Sequence, residues 1–115
     1  MKMKKMEVFN ITFKVPFDSK FNQTTLSNGA KMLMEERYDV NITVNEGINN
    51  ISPIDNNSEY KRIKIEGVPI ESITWMKKDT IIIFMPDTSN TRGILIVSNW
   101  NHDLAIEIAN TVTFQ

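Results

Sequence analysis

Cysteine is absent, and histidine occurs once, at His102. The first absence excludes disulfides, thiolate nucleophiles, iron–sulfur clusters and every cysteine-containing zinc site. The second excludes multi-histidine metal sites and leaves a single imidazole as candidate general base. Glycine is also scarce: its four copies, at 29, 47, 67 and 93, are too scattered for a phosphate-cradling loop or a dinucleotide fingerprint. No apolar run approaches the length of a membrane span. A formal net charge of -1 supplies no whole-molecule field for nucleic acid or an anionic membrane.

The inventory that remains is that of an ordinary globular chain, 41% apolar and 23% charged, which at 115 residues fits one domain. The basic start, Met1 to Met6, runs into the alternating stretch Glu7 to Lys14 and not into a continuous apolar segment. A signal peptide is therefore not expected, and the cytoplasm is the expected location. Abundant Ile, Asn, Lys and Met suggest an AT-rich coding genome, such as that of a low-GC bacterium or its phage.

Hydrophobic periodicity predicts an α+β fold. Phe9, Ile11, Phe13 and Val15 alternate with polar residues, so a strand is expected from 6 to 15, ended by Pro16. Leu26, Ala30, Leu33, Met34 and Arg37 follow a helical spacing, which predicts a helix over 26–38, although Asn28-Gly29 within it is also a strong hairpin signal. Strands are expected at 40–44, 59–66 and 70–76, separated by a polar loop from 46 to 57, expected to be mobile, and by the turns Gly67-Val68-Pro69 and Lys77-Lys78-Asp79. Two runs then follow, Thr80 to Met85 and Gly93 to Val97, joined by the polar loop Pro86 to Arg92, which is expected to be exposed. Leu104, Ala105, Ile108, Ala109 and Val112 predict a closing helix over 101–112, capped by Asn99 or Asn101.

The expected architecture is one two-layer domain in β-α-β-β-β-β-β-α order. It has an antiparallel sheet of about five to six strands with two helices on one face. In topology alone, with no motif behind it, this order resembles the helix-grip and TATA-binding-protein-like α+β folds.

The two late runs carry the functional expectation, because they are apolar at nearly every position. Side chains alternate along a strand, so Ile81, Ile83 and Met85 oppose Ile82 and Phe84, and Ile94 and Ile96 oppose Leu95 and Val97. Both faces of this hairpin call for cover, and two helices on one face cover only one. Leaving three such side chains wet forgoes about 5 to 9 kcal/mol, comparable with a domain's net stability. A second chain, another copy or a host protein, is the expected cover. Ile82, Phe84, Ile94 and Ile96 form its candidate contact, with Ile48, Ile51 and Ile54 of the polar loop. The leading expectation is a non-catalytic interaction protein, an accessory factor or inhibitor, with no cofactor.

Two alternatives stand beside it. Tyr60, Arg62 and Lys64 alternate on one strand face and, extended by Lys77 and Lys78, would stack a base and neutralise phosphates. A ligand or enzymatic cavity of helix-grip type would place Trp75, Trp100 and His102 near its mouth. Against catalysis, His102-Asp103 reads first as a helix start, with Asp103 at the positive end of the helix dipole, and Glu35, Glu36 and Asp39 read as a solvated helix end.

Overall fold

The computed structural model describes residues 2–47, 59–89 and 91–115. The helix expected over 26–38 is absent, because its Asn28-Gly29 pair makes a hairpin instead. Gly29 takes φ +88, the Gly29 N–H donates to the Leu26 carbonyl (2.9 Å) and the Leu26 N–H to the Ala30 carbonyl (2.8 Å). The Asn28 side chain closes the turn by accepting the Ala30 N–H at 3.0 Å. A left-handed glycine is what a three-residue hairpin loop of this kind requires. Residues 22–45 are consequently a meander of β3 (Asn22–Thr25), β4 (Lys31–Glu35) and β5 (Val40–Asn45).

The single N-terminal strand is likewise two, β1 (Met3–Val8) and β2 (Ile11–Pro16), paired in register from Met3 with Pro16 to Val8 with Ile11. The turn between them consists of Phe9 (φ 51) and Asn10 (φ 60), two non-glycine residues in the left-handed region. Asparagine accepts that conformation readily, whereas phenylalanine does so at a cost of about 1–3 kcal/mol. The chain continues through β6 (Lys61–Ile63), β7 (Ile73–Lys77), β8 (Thr80–Pro86), β9 (Gly93–Ser98), helix α1 (His102–Ala109) and β10 (Thr113–Phe114). The expected strand over 59–66 shrinks to three residues and that over 70–76 to five. The closing helix forms with Asn101 at its N-cap, but the Asn101 side chain is used elsewhere and makes no capping bond.

The α+β expectation is therefore corrected to a mostly β fold. Among the described residues there are two antiparallel sheets and one helix, not one sheet under two helices. The small sheet has the order β1-β2-β10 and the large one β3-β4-β5-β9-β8-β7-β6. One continuous core lies between them. It contains Ile11, Phe13 and Val15 of β2, Leu33, Ile42, Val44, Ile81, Ile83, Ile94 and Ile96 from the large sheet, and Leu104, Ala105, Ile108 and Ala109 from α1. The Cα radius of gyration, 13.1 Å, matches the value of about 13 Å expected for this length. No helix among the described residues is long and apolar enough to cross a membrane.

The polar loop after β8 is not exposed at its ends: Asp87 and Arg92 are both buried. The Arg92 guanidinium donates Nε and one terminal nitrogen to Asp87 Oδ2 (3.1 and 2.8 Å), and that terminal nitrogen also to the Gln115 carbonyl (2.9 Å). Its other terminal nitrogen donates to the carbonyls of Phe9 (3.0 Å) and Asn10 (3.3 Å). These bonds use the five N–H donors of an arginine. Two of these bonds go to the β1–β2 turn and hold its two left-handed residues in place.

Two outcomes test this packing. Ile108, fully buried, should cost about 2–5 kcal/mol on substitution by alanine, read by chemical unfolding; a loss below about 1 kcal/mol would make α1 peripheral. Burial alone would raise the Asp87 carboxyl, but hydrogen bonds from Arg92 and Ser89 together with the Arg92 charge outweigh it and hold the group below its ordinary value. A carboxyl depressed by folding contributes stability that is complete above its unfolded pKa and lost as pH falls through its folded one. Stability should therefore decline through the range below about pH 4, with a shallower decline in Asp87→Asn. Identical acid limbs in the two proteins would refute the assignment.

Candidate functional site

The register separates the hairpin residues onto two faces of the large sheet. Ile94 and Ile96 join Ile81 and Ile83 in the main core and have no exposure, so they present no surface to a partner. Ile82 and Phe84 lie on the outer face, in a second cluster with Trp75, and are themselves only 5% and 7% exposed. Tyr60, Ile73, Leu95 and Val97 pack against this cluster. Both faces of β8 are thus buried within the chain. Ile48, Ile51 and Ile54, with all of the loop expected to be mobile except Glu46 and Gly47, lie outside the described residues.

The proposed basic stripe is partly consumed by internal contacts. Arg62 pairs with Trp75 across β6 and β7, and its guanidinium sits 5.7 Å from the centre of the indole. Lys77 Nζ lies 5.2 Å from the Tyr60 ring and 2.9 Å from the Glu59 carboxylate, which raises the Lys77 pKa. Lys64 and Lys78 are exposed.

Trp75, Trp100 and His102 are not brought together at a cavity. Trp75 is buried on the outer face, whereas α1 packs on the inner one, and Trp100 is 66% exposed. The His102 Nε2 atom is hydrogen-bonded to the Asp79 carbonyl, tying α1 to the β7–β8 turn. Nor are the carboxylates of the β4–β5 turn a solvated helix end. Asp39 accepts the backbone N–H groups of Asn99 (2.7 Å) and Trp100 (2.6 Å) and the Ser98 hydroxyl (3.1 Å). Glu35, 7% exposed, accepts the backbone N–H groups of Lys20 and Arg37. Tyr38 donates its hydroxyl to Asp18 at 2.5 Å, a bond that raises its own pKa and lowers that of Asp18. These groups hold turns together, and no cluster of three or more metal-ligating side chains occurs among the described residues.

The surface feature that stands out was not singled out in the sequence. Ile70, in the connection between β6 and β7, is 95% exposed. It borders a groove of about 670 Å³ that is also lined by Arg62, Ile63, Lys64, Ile65, Val68, Pro69, Ser72 and Thr74. Ile65 and Val68 anchor this connection to the main core, and the Asn110 side chain holds the Gly67 carbonyl at 2.7 Å. The groove therefore has a fixed wall. A second groove, of about 330 Å³, shares Pro69 and continues past Glu71 and Asp87 to Phe114. The signal available in the sequence was an isoleucine placed directly after Gly-Val-Pro, where a turn leaves it no strand neighbour to pack on.

No family model matches this chain, and neither the curated proteins nor the solved structures contain a significant match.

Burial of the outer face makes a specific demand. Ile82→Glu would place a charge beside Trp75, so it should destabilise the fold by several kcal/mol, seen as a lowered unfolding midpoint. An unchanged midpoint would show that this face is open to solvent.

Proposed function

We propose that the protein is a non-catalytic binding protein, an accessory factor or inhibitor acting in the cytoplasm through contact with another protein chain. The observation that carries this reading is Ile70, nearly fully exposed beside Ile63, Ile65, Val68 and Pro69 at a groove of about 670 Å³. An exposed isoleucine beside half-buried apolar side chains, with Arg62 and Lys64 at the rim, supplies the apolar centre and polar edge that interaction sites use. The contact expected from sequence at the hairpin is accordingly relocated to the β6 end of the same sheet. The nucleic-acid reading draws less support, because Lys77 is paired with Glu59.

The test is affinity capture from the native host, comparing the unaltered protein with Ile70→Glu. Because Ile70 is exposed, the substitution should leave the unfolding midpoint within about 0.5 kcal/mol of the parent. It should abolish co-purification of the partner. Equal recovery of the same partner by both proteins would overturn the assignment of the groove.

A further inference from the structure

We infer that the groove beside β6 receives an extended, carboxylate-bearing segment of the partner, which adds to the large sheet as a further strand. The inference deepens the protein-contact reading and rests on it.

The first support is the direction of the backbone groups. Lys77 and Thr80 flank the two-residue turn between β7 and β8, which makes them a hydrogen-bonded pair. Alternation along β7 then turns Trp75 toward β8, and Thr74 and Met76 toward β6. Their partners there are Ile63 and Lys61, so the N–H and C=O of Arg62, which lies between them, point away from β7. The Thr74 hydroxyl bonded to the Ile63 carbonyl at 2.5 Å agrees with this orientation. Among the described residues no strand lies beyond β6.

The second support is charge. Arg62 and Lys64 line the groove with the hydroxyl residues Ser72 and Thr74, and none of the described lining residues is acidic. The Arg62 guanidinium lies 5.7 Å from the centre of the Trp75 indole, and a contact with a ring, unlike an ion pair, leaves its positive charge uncompensated for a carboxylate. The same cations select the occupant. Antiparallel pairing of β6 with a second copy would bring Lys61 and Arg62 against their own kind, which disfavours self-association at this edge, whereas an acidic strand is attracted. Alternating side chains of an added strand would meet Arg62 and Lys64 on one side and the apolar wall around Ile70 on the other.

The test uses short synthetic peptides in which valine alternates with glutamate, glutamine or lysine, together with a glutamate peptide N-methylated on its backbone, titrated by fluorescence anisotropy. The glutamate peptide should bind most tightly, about tenfold or more over the lysine peptide, and weaken as salt is raised. Arg62→Glu with Lys64→Glu should reverse the preference at an unchanged unfolding midpoint, and N-methylation should abolish binding. Equal affinity for all three compositions, insensitivity to the charge reversal, full binding of the methylated peptide, or no binding by any peptide would each overturn the inference. Concentration-dependent self-association lost in Ile70→Glu would also overturn it, by making a second copy the occupant. If Ile70→Glu releases a captured partner while no acidic peptide binds, strand addition fails and the broader contact reading stands. If that substitution releases nothing, the contact reading fails at this groove.

Discussion

Arg92 ties together three parts of the chain that are distant in sequence. Its guanidinium reaches Asp87 at the end of β8, the carbonyls of the β1–β2 turn and the carbonyl of Gln115 after β10. A buried cation is tolerable only when its charge and every donor are matched, because the effective penalty for desolvating an ion is several kcal/mol. Here the matching groups come from both sheets, so satisfying one side chain requires the two layers to be in place. The carbonyls it binds belong to Phe9 and Asn10, whose left-handed backbone would otherwise be disfavoured. The strain of the turn and the burial of the arginine are thus resolved by the same bonds.

What the sequence revealed follows from how local each signal is. The faces of β8 and β9, the Lys78-Asp79 turn, the strand from Val40 and the closing helix were legible, because alternation or a helical stripe within a few residues determines them. Residues 26–38 satisfied a helical spacing and a hairpin turn at once. The turn prevailed because Leu33 and Glu35 face inward on β4, at strand period, once Asn28-Gly29 reverses the chain. The split at Phe9 was not legible, since the arginine that holds it lies 83 residues away. Polar residues in the loop after β8 suggested exposure, and only tertiary pairing places Asp87 and Arg92 inside.

The candidate site was partly visible for the same reason. Arg62 and Lys64 were singled out from the alternation of one strand, as part of a nucleic-acid stripe, and both line the groove. The apolar half was misplaced, because the pattern states that both faces of β8 are apolar but not what covers them. Trp75, Ile82 and Phe84 cluster on the outer face and are buried there, while the exposed isoleucine belongs to a connection with no periodicity to analyse.

The small sheet closes through contacts between distant parts of the chain: Thr12 bonds to Thr113 across 101 residues. The β1–β2 hairpin pairs consecutive strands, whereas β10, its neighbour on the other side, follows every strand of the large sheet along the chain. Closing so long a loop carries an entropic penalty that the pairs between consecutive strands do not. Long-range pairings form slowly compared with hairpins. The small sheet is therefore completed late in folding, and until β10 pairs one edge of β2 remains open, a template for aggregation.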